Sequence, residues 1–256
     1  MIVAVATQKG GSAKTSTVVN LGAAFAERGR RTLVVDLDGQ AHTTLWLLGP
    51  DGRDGGPFVQ DWIEGRATVT ATVRPTAWAN LDLIPASLAL NHLRDRLEAA
   101  QQPADARRLR DRLVEVAGTY AYVLFDCPAG LNSLTINALV AADRLLIPVA
   151  PPDPLATDGT HHILTTAERI GKTTNPGLRL LGVLIANTQP GRATERRQVE
   201  RLRSAGLPLL KTIIPASARL AAAAEAHRPV IAQAPNSPLA AAYRALAAEL
   251  ERSGVP

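Results

Sequence analysis

The chain has 256 residues, of which 46% are hydrophobic and 20% are charged, so it can bury a core and is not expected to be disordered. Its single cysteine excludes an intramolecular disulfide and a cysteine-based zinc site, and no apolar run is as long as a membrane span. The net charge of +5 is compatible with nucleic-acid binding but does not establish it. These features exclude secreted, disulfide-rich and membrane-spanning classes and predict a soluble cytoplasmic protein.

Strand and helix patterns alternate along the chain. The predicted strands are, in order, residues 2–6, 32–36, 81–85, 120–126, 144–149, 180–186 and 209–214. The predicted helices are residues 15–28, 88–97, 105–117, 134–141, 157–170, 194–204, 218–226 and 238–252. This order predicts one α/β domain over residues 1–256, with a mostly parallel twisted sheet and helices on both faces. Residues 49–56 (GPDGRDGG) are predicted to form a flexible loop.

A glycine- and lysine-bearing segment, residues 8–16 (QKGGSAKTS), joins the first strand to the first helix. At this position free backbone N–H groups and the positive end of the helix dipole favour an anion. Gly10 and Gly11 allow the backbone to curl around it. The Lys14 ammonium would reach the β- and γ-phosphates of a nucleotide, and the Thr15 hydroxyl would bind Mg²⁺.

The segment departs from the plain P-loop pattern and fits a more specific one. Gln8 and Ala13 stand where GxxxxGK[ST] has glycine, so the plain pattern leaves open a helix N-terminus that merely carries glycine and lysine. The pattern KGGxxKT[ST] after the first strand resembles the deviant Walker A motif of the ParA/MinD family of ATPases. The extra lysine of that motif corresponds to Lys9, and in the family it reaches across an ATP-sandwiched dimer to the partner's nucleotide.

The resemblance covers essentially residues 1–250. Residues 36–40 (DLDGQ) resemble the family's second motif, usually DxDPQ, and residues 126–129 (DCPA) resemble its Walker B and switch motif, usually DxPP. Further matches are residues 134–143, 146–149, 214–220 and 243–247. The resemblance implies a single-domain P-loop ATPase that uses ATP and Mg²⁺ and forms a homodimer with ATP sandwiched between the subunits.

The resemblance also implies roles for individual residues. The implied catalytic residues are Lys9, Lys14 and Asp38. The implied metal-binding residues are Thr15, Asp36 and Asp126, with the two acids acting through water. The implied nucleotide-binding residues are Lys9, Gly10, Gly11, Ser12, Ala13, Lys14, Thr15, Ser16, Asn187 and Pro215. Asp38 would orient or activate the attacking water, and Asn187 and Pro215 would border the adenine. Asp153, in a proline-rich stretch one residue longer than usual, falls where the family often places a ribose-contacting acid.

Three residues depart from the family's motifs. Gly39 and Ala129 replace prolines, and Ala13 replaces the second glycine of the phosphate loop. If the loop needs a positive φ at this position, alanine costs about 1 kcal/mol relative to glycine. Either the loop tolerates Ala13 or nucleotide affinity is weakened; we expect tolerance because every other catalytic position is filled.

The partition branch of the family binds DNA without sequence preference when its dimer holds ATP, and a centromere-binding protein of the ParB type stimulates hydrolysis. By this resemblance the DNA-binding residues are Arg192, Arg196, Arg197, Arg203 and Arg219. The alternative is a solvated helix face. The last predicted helix has no lysine-rich face, so membrane binding is not expected. Because the chain begins almost directly at the first strand, no N-terminal helix-turn-helix extension is expected.

The expectation is therefore a nucleoid-associated partition ATPase. Two alternatives stay open at this point. One is an ATPase of the same fold that positions a cargo or a pole by reading a protein scaffold. The other is a nucleotide-binding module with little turnover because of Ala13.

Overall fold

The computed structural model describes residues 1–100, 102–151, 153, 155–189 and 191–252, and its strands form a single sheet. The strands are β1 (Ile2–Val5), β2 (Thr32–Asp36), β3 (Arg74–Pro75), β4 (Leu81–Ile84), β5 (Tyr122–Asp126), β6 (Arg144–Val149), β7 (Arg179–Thr188) and β8 (Leu209–Pro215). Their order in the sheet is β3-β4-β2-β5-β1-β6-β7-β8. Neighbouring strands are parallel except that β3 runs antiparallel to β4, so the predicted α/β fold is confirmed.

Helices connect the strands and cover the sheet. They are α1 (Lys14–Glu27), α2 (His42–Leu48), α3 (Val59–Ile63), α4 (Val69–Thr72), α5 (Leu90–Ala100), α6 (Arg108–Arg112), α7 (Ser133–Ala141), α8 (Ala156–Thr173), α9 (Ala193–Ser204), α10 (Arg219–Glu225), α11 (Val230–Gln233) and α12 (Pro238–Arg252). Short 3₁₀ helices are Pro50–Arg53, Pro103–Arg107 and Leu113–Val116. None of the helices among the described residues combines the length and apolar character needed to cross a lipid bilayer.

The core consists of two apolar clusters, one on each face of the sheet. Successive residues of a strand point to opposite faces, so Ala4 belongs to one cluster while Val3 and Val5 belong to the other. On the second face the rings of Phe25 and Tyr122 stack with their centroids 3.9 Å apart. Burial on both faces explains why the strands are continuous apolar runs.

Several short elements differ from the sequence-based predictions. Helices α2, α3, α4 and α11 and strand β3 were not predicted, because elements of two to seven residues are too short to show an apolar period. The helix predicted at 105–117 is divided into a 3₁₀ helix, α6 and a second 3₁₀ helix. The loop at 49–56 begins with a 3₁₀ helix, and the Arg74 guanidinium donates to the Gly52 carbonyl (2.9 Å), so this part of it is anchored.

The topology brings the ends of three strands together. Val5 at the end of β1 and Asp36 at the end of β2 are both in register with Asp126 at the end of β5. In an open parallel sheet, ligands bind beyond the carboxyl ends of the strands. The loops that follow β1, β2 and β5 therefore form one side of a common site.

Candidate functional site

The loop between β1 and α1 curls around its own backbone. Gly11 has a φ of 75° and Ala13 a φ of 67°. The Thr7 hydroxyl donates to the Lys9 carbonyl (2.9 Å) and lies 2.6 Å from the Ser12 hydroxyl. These contacts close the loop and hold it against the end of β1.

Ala13 adopts the left-handed conformation that glycine usually provides. The positive φ at this position costs alanine about 1 kcal/mol relative to glycine. Its methyl group packs against the apolar cluster under α1, and its carbonyl accepts a hydrogen bond from the Ser16 hydroxyl (3.1 Å). The fold thus accommodates alanine, with strain stored at the N-terminus of α1.

Lys14 is a buried cation that donates a hydrogen bond to a hydroxyl group. Its residue is 8% exposed, and its Nζ donates to Thr7 Oγ1 at 3.3 Å. Within the described residues it forms no ion pair with a carboxylate. Its charge lowers the pKa of the nearby Asp126 carboxyl but forms no direct ion pair with it, so an anionic group in contact with the ammonium would be stabilising.

Lys9 and Lys14 line different cavities. The Lys9 side chain is 61% exposed and its Nζ lies 3.2 Å from Asp153 Oδ1. Asp153 also accepts a hydrogen bond from the Leu155 backbone (3.1 Å). Lys9 and Asp153 line a separate cavity of about 590 Å³ between the phosphate loop and the start of α8. The ribose role of Asp153 stays a prediction, and its neighbours at 152 and 154 lie outside the described residues.

One carboxylate oxygen of Asp126 accepts hydrogen bonds from two hydroxyl groups. Thr15 Oγ1 donates to its Oδ2 at 2.7 Å, and Thr43 Oγ1 donates to the same atom at 2.6 Å. Its Oδ1 is buried and has no hydrogen-bond partner among the described residues. A buried oxygen of this kind requires a donor or a cation. Together with the Thr15 hydroxyl it offers the hard oxygen ligands that suit Mg²⁺.

Asp36 fixes the loop that follows β2. Its Oδ2 accepts the backbone N–H (2.9 Å) and the hydroxyl (2.7 Å) of Thr44, and its Oδ1 accepts the backbone N–H of Asp38 (3.1 Å). Burial raises the pKa of Asp36 to about 8, and the nearby Asp126 carboxyl adds to the rise. Burial also raises the pKa of Asp126, although hydroxyl donors oppose it. The two adjacent buried carboxyls therefore resist simultaneous ionisation unless a cation is present.

The phosphate loop opens into a cavity of about 600 Å³. Its lining residues are Gly10, Gly11, Ser12, Ala13, Lys14, Thr15, Ser16, Asp38, His42, Leu45, Trp46, Ala129, Asn187, Leu220 and Ala224. Asn187 lies at the end of β7 with a φ of 53° and is exposed at the edge of the cavity. Pro215 is paired in register with Thr188 on the neighbouring strand and is not among the lining residues.

Sequence reasoning missed the contributions of α2 and α10. Thr43 and Thr44 of α2 hold the two buried carboxyls, and Leu220 and Ala224 of α10 form an apolar wall of the cavity. Thr43 and Thr44 follow the DLDGQ motif after two residues, and this pair of hydroxyl side chains was a signal that could have indicated the first contribution. The apolar wall had no local signal.

The arginines of α9 are exposed along one side of the molecule. Glu195, Gln198 and Leu202 form the buried face of the helix. The exposed arginines in this region are Arg192, Arg196, Arg197, Arg201 and Arg203, with Arg219 at the start of α10. Arg203 pairs with Glu200 at 3.0 Å, and no other ion pair involves this set within the described residues. Arg197 and Arg201 also line a shallow depression with Thr157 of α8.

Comparison with known proteins agrees with the resemblance seen in the motifs. The family described as AAA domain matches residues 1–180. The sporulation initiation inhibitor protein Soj of Bacillus subtilis is 35% identical over 257 residues, with 99% of each chain covered. The chromosome partitioning protein ParA of Caulobacter vibrioides is 33% identical over 233 residues, covering 90% of this chain and 86% of that protein.

A solved structure shows the same fold. Cobyrinic acid a,c-diamide synthase from Mycobacterium smegmatis, with bound ADP and magnesium, is 31% identical and has a TM-score of 0.85. The similarity covers 99% of this chain and 94% of that one. The chain belongs to the ParA/MinD family of P-loop ATPases and is similar throughout its length to ParA-type partition proteins.

Proposed function

We propose that this chain is a partition ATPase of the ParA type that binds Mg²⁺ and ATP, dimerises around the nucleotide and binds DNA without sequence preference. The observation that carries the proposal is the cavity of about 600 Å³ onto which the phosphate loop, Lys14 and Asp38 converge. The relationship to Soj and ParA supports it. The relative of known structure that holds ADP and magnesium supports the nucleotide and the metal.

The phosphates would lie against residues 10–16. Backbone N–H groups of the loop and the N-terminus of α1 would bind their oxygens, and the buried Lys14 ammonium would gain a direct ion pair. Thr15 would hold Mg²⁺ directly, while Asp126 and Asp36 would act through its water ligands. When bound, Mg²⁺ would neutralise charge that develops on the β- and γ-phosphates.

Asp38 would orient the attacking water. Its Oδ1 accepts the backbone N–H of Gln40 at 3.0 Å, and this bond fixes the carboxylate at the edge of the cavity. In the described part of the chain its Oδ2 has no hydrogen-bond partner, so that atom is available to accept a hydrogen bond from water. Positioning of this kind accounts for most of the catalytic effect in phosphoryl transfer.

Lys9 would act in the partner subunit's site. It does not line the cavity that holds Lys14, and it is bound to Asp153 by an ion pair whose lysine side is largely exposed. Exposed pairs contribute about 0–1 kcal/mol, so little free energy opposes the exchange of Asp153 for a nucleotide phosphate. Dimerisation would therefore depend on ATP and on Lys9.

The DNA surface would include Arg192, Arg196, Arg197, Arg203 and Arg219. Of these guanidinium groups only Arg203 has a carboxylate partner among the described residues, so the others can contact phosphates without first breaking an ion pair. Such contacts are to the DNA backbone, so they carry no sequence preference and weaken with salt. A nucleoid-associated location and stimulation by a ParB-type centromere-binding protein would follow from this activity.

The proposal is tested by anisotropy of a labelled non-specific duplex with ATP, ADP or no nucleotide at two salt concentrations. We expect binding only with ATP and a steep loss of affinity with salt. Replacing Arg196→Ala and Arg197→Ala together should lower affinity roughly tenfold and reduce the salt slope by about 2. The matched control is Arg108→Ala with Arg112→Ala, the first and last residues of α6, which already pair with Asp105 and Glu115.

Two results would contradict parts of the proposal. Binding that is independent of nucleotide, or absent while ATP is hydrolysed, would move the assignment to an ATPase of the same fold that positions a protein cargo. If neither ATP binding nor hydrolysis occurred, the nucleotide chemistry itself would be wrong.

A further inference from the structure

Gly39, which stands where the family usually has proline, is in close contact with Asn91 of α5. A Cβ atom built on Gly39 would lie 2.5 Å from Asn91 Oδ1 and 2.7 Å from its Cγ and Nδ2. The φ of Gly39 is outside the left-handed region, so backbone conformation does not require glycine here. The requirement is space: the Asn91 amide occupies the volume that a side chain at position 39 would need.

The Asn91 amide is held in this position. Its Oδ1 accepts a hydrogen bond from Arg94 Nη1 at 3.2 Å, and Arg94 is in turn bound to Asp95 Oδ1 at 2.7 Å. Asn91 is half-buried in the first turn of α5. Rotation of the amide away from Gly39 would break the bond from Arg94, so moving the amide costs that hydrogen bond.

Gly39 lies between two residues whose positions matter for the proposed chemistry. The backbone N–H of Asp38 donates to Asp36 Oδ1 (3.1 Å), and that of Gln40 donates to Asp38 Oδ1 (3.0 Å). A shift of the backbone at Gly39 would therefore move the Asp38 carboxylate. Errors of about 1 Å in the placement of a catalytic group can cost roughly a hundredfold in rate.

The same helix also contacts the loop that follows β5. The Ser133 hydroxyl, at the start of α7, donates to the Arg94 carbonyl at 3.2 Å, and the Ser133 backbone N–H donates to Glu98 Oε1 at 3.4 Å. That loop contains Gly130, whose N–H donates to the Thr7 carbonyl beside the phosphate loop (3.0 Å). Helix α5 thus contacts two of the three loops that form the site, those that follow β2 and β5.

We propose that Asn91 is a positioning residue for the proposed ATP hydrolysis, and that its amide, packed on Gly39, holds the loop that carries Asp38. The inference rests on the proposed function for its chemistry and on the contact itself for its structure. It assigns a role to a residue outside the nucleotide-binding motifs. It also explains why position 39 holds glycine and not proline: a side chain at position 39 would overlap with the Asn91 amide.

The test is a double-mutant cycle in ATP hydrolysis with Gly39→Ala, Asn91→Ala and the combination of both. Each single change should lower kcat roughly tenfold and leave KM within about twofold, because the water-orienting group moves while the phosphate loop does not. The combination should recover most of the loss, since the alanine methyl at 39 fills the volume that Asn91 vacates. Gly171→Ala in α8, where a Cβ meets nothing within 4 Å, is the matched glycine control.

Hydrogen–deuterium exchange of the nucleotide-free protein provides a readout that does not need catalysis. Amides of residues 38–40 should exchange faster in each single variant and return toward the wild-type rate in the combination. Additive losses, or single variants that match wild type in kcat and in exchange, would overturn the inference. If the wild-type protein does not hydrolyse ATP but the variants show the expected pattern of hydrogen–deuterium exchange, the role of Asn91 in positioning the loop is supported and the proposed function is refuted.

Discussion

The two edges of the sheet differ in how their charged side chains are paired. At the amino edge, Arg31 pairs with Asp82 at 3.2 Å, and Arg244 pairs with Glu27 at 2.7 Å. At the carboxyl edge, Lys14 is buried against a hydroxyl, and Asp126 has a buried oxygen without a partner in the described residues. Among the described residues, a buried cation without a direct ion pair lies beside a buried carboxylate oxygen without a hydrogen bond, and this indicates that the carboxyl edge is built to receive a ligand.

Replacing Lys14→Ala should have the largest effect on nucleotide binding at the carboxyl edge. Affinity for ATP should fall at least roughly a hundredfold, because a charge-assisted contact to the phosphates is lost. The nucleotide-free protein should change little in thermal stability, since the cost of burying the Lys14 ammonium offsets its attraction to the nearby Asp126 carboxyl. Titration calorimetry with ATP and thermal unfolding without it would measure both. Retained affinity would contradict the assigned phosphate site.

The buried carboxyls predict an unusual pH dependence of stability without metal. The pKa of Asp36 rises from an ordinary value of 3.8 to about 8 on folding, so the unfolded chain releases its proton first. Stability should therefore fall as pH rises from about 4 to about 8 and level off above that range. In the presence of a metal chelator, the midpoint of thermal unfolding should drop by roughly 5 °C or more between about pH 4 and about pH 8.

Asp126→Asn is the matched variant for this pH effect. It removes the neighbouring charge, so the fall in stability should become shallower, and Mg²⁺ with nucleotide should protect only the wild-type protein at pH 8. An unchanged slope in this variant would show that the two carboxyls are not coupled.

Ala13→Gly should relieve strain at the phosphate loop. The gain of about 1 kcal/mol, if it is expressed in the nucleotide complex, corresponds to roughly a fivefold increase in kcat/KM for ATP. Asn80→Gly, at a φ of 64° on the amino edge, is the control for strain relief away from the site and should leave kcat/KM unchanged. Identical kinetics for Ala13→Gly and wild type would exclude Ala13 as the cause of any slow turnover.

Arg244→Ala should have the smallest effect. The pair with Glu27 is about one-third exposed on both sides, so its loss should reduce the free energy of unfolding by about 0.5–1 kcal/mol. ATP hydrolysis should be unaffected, and the loss should diminish in high salt. Urea unfolding at two salt concentrations measures this; a change in kcat would instead connect the amino edge to the site.

Much of the fold and of the phosphate loop could be predicted because their signals are local. The bounds predicted for the second strand, Thr32–Asp36, and for the last helix, Pro238–Arg252, match the structure. The loop at 8–16 carries its motif within nine consecutive residues, and the positions of Asp36 and Asp126 follow from strands that end at the same edge. The assigned roles of these residues stay predictions.

The remaining features depend on residues far apart in the chain. Thr43 meets Asp126 across 83 positions, and Leu220 and Ala224 reach the cavity only because β7 and β8 place α10 there. The short helices α2, α3 and α4 lack the length to nucleate alone and form because tertiary packing stabilises them.

The amino-acid sequence by itself determined the α/β fold, the family and the phosphate loop, because each depends on periodicity or on contiguous motifs. Only the tertiary structure decided that Lys9 binds Asp153 rather than lining the cavity of Lys14. It also decided that Asn91 occupies the space beside Gly39. Contacts of this kind arise when the chain closes long loops and packs distant side chains into one volume, and no local pattern encodes that outcome.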